Sequence, residues 1–144
     1  MNNDLIASKS IAINATADKV WDVLTNPDKI KIYLFGTETT SDWKIGSPIR
    51  FKGTYNGQTY EDKGNVLESV KHKLLKYNYW SGFSGLEDVI ENYSLVTYNI
   101  KQISKNQVEF TWEQQGFPSE EGKCHIEQGL IQMLLQIKQL AEEK

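Results

Sequence analysis

Three pairs of adjacent carboxylates are the first residues to weigh for chemistry: Glu61-Asp62, Glu87-Asp88 and Glu120-Glu121. General acid–base work needs two groups facing one reacting centre. Neighbours along a strand point to opposite faces, so Glu61 and Asp62 do not form a dyad on one wall. Glu87-Asp88 falls in a loop and reads as solvated, with a ligand or ion contact as the sharper reading. Glu120-Glu121 opens a helix and complements its dipole. Two histidines and one cysteine are too few for a structural zinc site built of those ligands alone. His72 stands between Lys71 and Lys73 in a turn and reads as a solvated surface residue. Cys124 and His125 project about 100° apart on a helix, which leaves Cys124 a partly buried, inert thiol. Arg50 is the one arginine, and its fork suits carboxylate or phosphate. Alternation turns it away from Ile49 and Phe51, toward a surface ion pair. Gly82-Phe83-Ser84-Gly85 lacks the spacing of a nucleophile elbow and lies between antiparallel strands. Metal-protease, dinucleotide and phosphate-loop motifs are absent. The residues therefore call for no catalytic group, no metal and no cofactor.

The aromatic residues are the stronger signal. There are 16, and 15 of them lie between Tyr33 and Phe117, while the last 27 residues have none. If Ile49, Phe51 and Tyr55 share a face, partner strands add Tyr60, Val66, Leu75, Tyr77 and Tyr79. The last hairpin adds Val96, Tyr98 and Ile100 with Val108, Phe110 and Trp112. For most single rings, core filling is explanation enough. Several tyrosines converging on one face imply more, because a buried hydroxyl needs a partner. An apolar wall with a few polar groups is the composition of a small-ligand pocket.

Those residues need elements to hold them. A first strand is expected over Leu5 to Asn14, with Ile11 and Ile13 alternating against Ser10 and Ala12. Thr16 can cap a short helix carrying Val20, Trp21 and Leu24 on one face. Asn26-Pro27 ends that helix and starts a second, which buries Ile30, Tyr33 and Leu34. From about residue 37 to 115 the pattern is one of strands and turns. Ile49 to Tyr55 alternates, Asn56-Gly57 suits a type I′ hairpin, and Thr59 to Val70 returns. Leu74 to Trp80 follows, then a loop over Ser81 to Glu91. Tyr93 to Ile103 and Gln107 to Gln115 form a further hairpin. Finally Ile126, Leu130, Met133, Leu134, Ile137, Leu140 and Ala141 recur at helical spacing. That helix is capped by Ser119, spans about 37 Å from 119 to 143, and is weakened in its first turns by Gly122 and Gly129. Ile131 and Leu135 widen its apolar face, which reads as a well-covered core helix, with a border on a cavity or another subunit as the sharper reading. The expected architecture is α+β, a curved antiparallel sheet of about six to seven strands wrapped round the long C-terminal helix.

Composition bounds the rest. The chain has 144 residues, a formal net charge of −3, 39% hydrophobic and 24% charged residues. That is an ordinary globular balance in which a single domain buries roughly 68–70% of its unfolded surface. No basic block favours nucleic acid, and the longest apolar run, Ile32-Tyr33-Leu34-Phe35, is far short of a membrane span. The start lacks the features of a secretory signal, and a lone cysteine fits a reducing compartment. A cytoplasmic protein is expected.

The order of these segments resembles the helix-grip (SRPBCC) superfamily of START domains, the major birch-pollen allergen and aromatase/cyclases. Within it the chain is most similar to bacterial proteins related to the activator of heat shock protein 90 ATPase (Aha-like). The opening Ile11-Ala12-Ile13-Asn14-Ala15-Thr16-Ala17-Asp18-Lys19-Val20-Trp21-Asp22-Val23-Leu24-Thr25 resembles the family's first strand and helix. Trp43 to Phe51, Gly64 to Glu68, Leu74 to Tyr77, Glu91 to Tyr98 and Gln115-Gly116-Phe117-Pro118 resemble the segments that follow. The match runs from about residue 8 to 143, so residues 1–144 read as a single Aha-like/START-like domain. Family members often carry Trp where Leu130 stands here, which implies less bulk at the cavity edge.

The resemblance and the residues together imply a non-enzymatic, stress-related binding protein with a cavity for a small hydrophobic or amphipathic ligand. Its cavity residues would be Phe51, Tyr55, Tyr60, Val66, Tyr77, Tyr79, Tyr98, Phe110 and Trp112 from the sheet. Leu130, Met133, Leu134 and Ile137 would join them from the helix. Two other readings follow from the family. One is a regulator of the chaperone heat shock protein 90. The other is an aromatase/cyclase-type enzyme using tyrosine or carboxylate groups such as Tyr77, Tyr98 and Asp62. The expected partners are a small molecule and a chaperone, with no nucleic acid, no membrane span, and a monomer or weak dimer.

Overall fold

A computed structural model describes residues 1–143, and nothing is described of the Tyr55 side chain, so the expectation that Tyr55 faces the cavity lies outside the described residues. The elements in order are β1 (Asn2–Ile13), α1 (Ala17–Thr25), α2 (Pro27–Tyr33), β2 (Glu38–Thr40), β3 (Pro48–Tyr55), β4 (Gln58–Val70), β5 (Leu74–Tyr79), a 3-10 turn (Ile90–Asn92), β6 (Ser94–Ser104), β7 (Gln107–Phe117) and α3 (Glu120–Glu142). The strands form one antiparallel sheet in the order β1-β7-β6-β5-β4-β3-β2. Consecutive strands are neighbours from β2 to β7, as hairpins require, and β1 closes against β7. This is the curved sheet and long C-terminal helix of the helix-grip fold.

Local chemistry explains most boundaries. Asn56 and Gly57 take φ of 51° and 78°, the two left-handed residues of a type I′ turn, and set the register Tyr55 opposite Gln58. Asn26 serves two helices: its N–H donates to the Asp22 carbonyl, closing α1, and its side chain accepts the Asp28 N–H at 3.0 Å, opening α2. Ser119 caps α3 by accepting the Gly122 N–H at 3.1 Å. The helix is continuous through Gly122 and Gly129, because packing outweighs their cost.

Four expectations need correction. β1 starts at Asn2 instead of Leu5, because Asn2 finds a ladder partner in Phe117 across an irregularity that ends at Ile6. Thr16 occupies the first cap position, but its hydroxyl donates to the Asp18 carboxylate instead of accepting a backbone N–H. Cys124 is exposed, since it lies off the stripe that buries Leu130, Leu134 and Ile137. His72 is half-buried, its ring edge-on to Trp21 with centroids 6.3 Å apart, because α1 packs over the β4–β5 turn.

The core lies between the sheet's inner face and the helices. Ile13, Leu24, Tyr33, Phe110, Leu130 and Ile137 are fully enclosed in it. α3 lays Leu130, Leu134, Ile137 and Ala141 inward, while Ile131 and Leu135 face outward and are about half exposed. Its far end is tied to β1: Lys138 donates to the Ala12 carbonyl at 3.0 Å, and Glu142 accepts the Asn14 N–H at 2.8 Å.

Candidate functional site

The pleat decides what each strand contributes. In β3 and β4 the register sets Phe51 opposite Asp62, Gly53 opposite Tyr60 and Ile49 opposite Gly64. A Cβ on Gly53 would sit 2.3 Å from the Tyr60 hydroxyl, so the bare backbone there lets the Tyr60 ring lie across β3. Gly64 admits a closer approach still, since a Cβ would lie 1.8 Å from the Asn78 carbonyl oxygen. β5 brings Tyr77 and Tyr79, with Tyr77 opposite both Val66 and Val96. β6 and β7 pair Tyr98 with Trp112 and Val96 with Gln114.

These faces enclose a hollow of about 550 Å³. From the sheet its wall takes Phe51, Tyr60, Asp62, Tyr77, Tyr79 and Trp112, with Val96 and Gln114 beside them. α3 supplies Ile126 and Met133. The rim is formed by Leu34, Phe35 and Thr37 after α2, by Thr54, and by Phe83 in the loop after β5. Phe35 and Phe83 are largely exposed, and Phe83 stacks at 5.4 Å on Tyr60. A second hollow of about 510 Å³ adjoins the first, sharing Tyr79, Phe83, Gln114 and Ile126.

Of the residues expected to form a cavity, Phe51, Tyr60, Tyr77, Tyr79, Trp112 and Met133 are brought together on this wall. Val66, Tyr98, Phe110, Leu130, Leu134 and Ile137 are buried in the packed core. Tyr98 backs the wall, its ring tilted against Trp112 at 4.6 Å and edge-on to Phe110 at 5.8 Å. Leu130 is thus a core residue, enclosed entirely. Sequence reasoning passed over Gln114 and Phe83, and weighed Asp62 only as an acid or base. Asp62 and Gln114 carried a legible signal, being polar residues in the inward phase of strands, two positions from Tyr60 and Trp112. Phe35 and Phe83 sit in loops without periodicity, and nothing local marks them.

The polar groups of the wall are arranged in short chains. Tyr60 donates to the Thr37 hydroxyl at 2.7 Å, because the Thr37 hydrogen is directed to the Leu34 carbonyl at 2.8 Å. Tyr77 and Tyr98 share a hydroxyl–hydroxyl bond of 2.6 Å, which uses one of their two hydrogens. Burial raises the pKa of both phenols, for Tyr77 against the opposing effect of that bond. Asp62 accepts from the Tyr79 hydroxyl and from the Gly82 N–H at 3.2 Å. Burial first, and the negative Asp62 second, raise the Tyr79 phenol well above its usual range, so it stays a proton donor. The Trp112 indole N–H is buried without an acceptor among the described residues.

Outside the hollow the other candidates settle into surface roles. Arg50 pairs with Glu61 at 2.6 Å, with Glu61 on the face opposite Asp62. Asp88 is bound by Lys63 and by the Tyr93 hydroxyl, which together lower its pKa, Lys63 most. Among the described residues no group of three or more His, Cys, Asp or Glu could hold a metal. No helix among them is long and apolar enough to cross a membrane.

Comparison with known proteins places this geometry. Residues 14–142 match the family model described as activator of Hsp90 ATPase homolog 1-like protein. The solution structure of a Cytophaga hutchinsonii protein is similar at 39% identity and TM-score 0.83, covering 99% of this chain and 97% of that one. An HSP90 activator from Plasmodium falciparum has the same fold at 15% identity and TM-score 0.74, over 94% and 95% of the two chains. The Aha1 dimer from Colwellia psychrerythraea does so at 16% identity and TM-score 0.71, over 95% and 96%. No curated protein matches the sequence.

Proposed function

The chain belongs to the activator of Hsp90 ATPase homolog 1-like family, and we propose that it is a non-enzymatic binding protein whose hollow takes a small hydrophobic or amphipathic molecule. In this reading residues 1–144 act as one domain, in the cytoplasm, as a monomer or weak dimer. The observation that carries it is the hollow of about 550 Å³, walled by aromatic and aliphatic side chains around a few polar groups. That volume lies within the roughly 300–1,000 Å³ of small-molecule sites, and so does the mixture of walls. Phe51, Tyr60, Tyr77, Tyr79, Trp112 and Met133 would touch the ligand. Val66, Tyr98, Phe110, Leu130, Leu134 and Ile137 would keep the wall in shape.

Native mass spectrometry and thermal unfolding against a panel of lipids and aromatic metabolites test it. A binder present at 100 times its Kd should add about 2.7 kcal/mol of stability, or about 9 °C in Tm for a chain of this size. With no adduct and no shift across the panel, the reading fails.

A second reading is regulation of heat shock protein 90. It is favoured by the family's description and by the fold shared with the Plasmodium falciparum activator. Pull-down of the cognate heat shock protein 90 by this chain would support it, and no retention in either nucleotide state would count against it.

A further inference from the structure

Among the described residues the hollow carries one charged side chain on its wall. Asp62 is 7% exposed, and among the described residues no lysine, arginine or histidine forms an ion pair with it. Among the described residues no basic side chain lines the hollow. Its two hydrogen bonds, from Tyr79 and the Gly82 N–H, come from neutral donors and leave lone pairs of the carboxylate unused. Three strands away on β7, Gln114 is 8% exposed, lines the same hollow, and its amide makes no hydrogen bond with any described residue. Buried carboxylates ordinarily have a cation, and buried amides ordinarily have partners. Among the described residues Asp62 has no cation and the Gln114 amide no partner, and both border the same hollow.

The rings add a second, independent preference. Phe51 lies directly across the β3–β4 ladder from Asp62, and its centroid is 5.7 Å from that of Tyr79 and 6.1 Å from that of Tyr77. Tyr60 is two residues from Asp62 on the same face, with Phe83 against it. Aromatic faces are electronegative and attract a cation held within about 6 Å of the centroid. A carboxylate and several aromatic rings around one volume favour a positive charge over an anion.

Resting on the cavity reading above, we infer that the ligand is an amphipathic cation, an amine or quaternary ammonium with an apolar body, seated with its charged head toward Asp62. Its apolar body lies along Val96, Ile126 and Met133, and Gln114 supplies an amide to any polar atom it carries. Fatty acids and other amphipathic anions are disfavoured by the same charge.

Isothermal titration of the full chain with octyltrimethylammonium, octan-1-ol and octanoate, each below its micelle concentration, separates the possibilities. The three carry alkyl chains of seven or eight carbons and differ chiefly in head group. The expected result is ammonium binding at least about tenfold tighter than the alcohol, with octanoate weaker than both. Asp62→Asn should remove the ammonium preference and leave alcohol binding in place. If that variant does not fold, the head-group series in the unaltered protein decides by itself. Alcohol or octanoate binding as tightly as the ammonium overturns the inference and leaves the cavity reading standing. Binding of none of the three, together with an empty lipid and metabolite panel, overturns both.

Discussion

Tyr79 shows how one hydroxyl organises the polar side of the hollow. Its O–H donates to Asp62, whose other oxygen takes the Gly82 N–H, so a strand and the following loop meet on one carboxylate. A hydrogen bond to a charged, desolvated group contributes about 1.5–3 kcal/mol. Tyr79→Phe should therefore lower stability by about 2 kcal/mol in urea denaturation, with the slope unchanged. An unaltered midpoint would mean that water replaces the hydroxyl at no cost. At this scale the sequence was partly legible. The inward phase of β4 identified Tyr60, and the same phase placed Asp62 beside it. What alternation could not convey is that Asp62 has neutral partners only, because the absence of a cation depends on where distant lysines go. Lys63, its neighbour, turns to the opposite face and pairs with Asp88.

Among the elements, β4 and β5 approach closely at Gly64. Gly64 sits where the Asn78 backbone passes, and the Asn78 side chain accepts the Asn65 N–H at 2.7 Å on the same strand. Adding a methyl at 1.8 Å from a backbone oxygen leaves no room for a rotamer to relieve it, so the strands must part. Gly64→Ala should cost about 2–3 kcal/mol, a typical overpacking penalty, read as a fall in Tm of roughly 5 °C or more. Retention of the original Tm would show that the ladder yields there. The reason for this glycine was hidden from sequence, since it depends on register across two strands. The Asn56-Gly57 turn was visible because its reason is local: both residues need positive φ.

Across the whole molecule, burial of tyrosines sets the response to alkali. Tyr33, Tyr77, Tyr79 and Tyr98 all have phenol pKa values raised, in each case chiefly by burial. The folded state holds these protons to higher pH than the unfolded chain, whose phenols ionise near pH 10. Below about pH 10 the contribution is fully present. Above it the unfolded chain binds fewer protons, so stability falls as pH rises. Phenolate absorbance followed with circular dichroism should show these groups ionising together with loss of structure. Titration of all seven tyrosines near pH 10 in a chain that keeps its ellipticity would contradict their burial.

The order of elements, the Asn56-Gly57 turn, the caps at Asn26 and Ser119 and the inward face of each strand follow from the sequence itself, because periodicity and capping act over a few residues. The family pattern follows too, being a pattern of those same segments. Which inward side chains surround a volume and which pack solid was decided only in three dimensions. Tyr77 and Tyr98 have the same phase and the same burial, yet one lines the hollow and the other backs it. The difference comes from where α3 crosses the sheet and where the loops carrying Phe35 and Phe83 close. Those contacts join residues far apart in the chain, and short-range pattern carries no record of them.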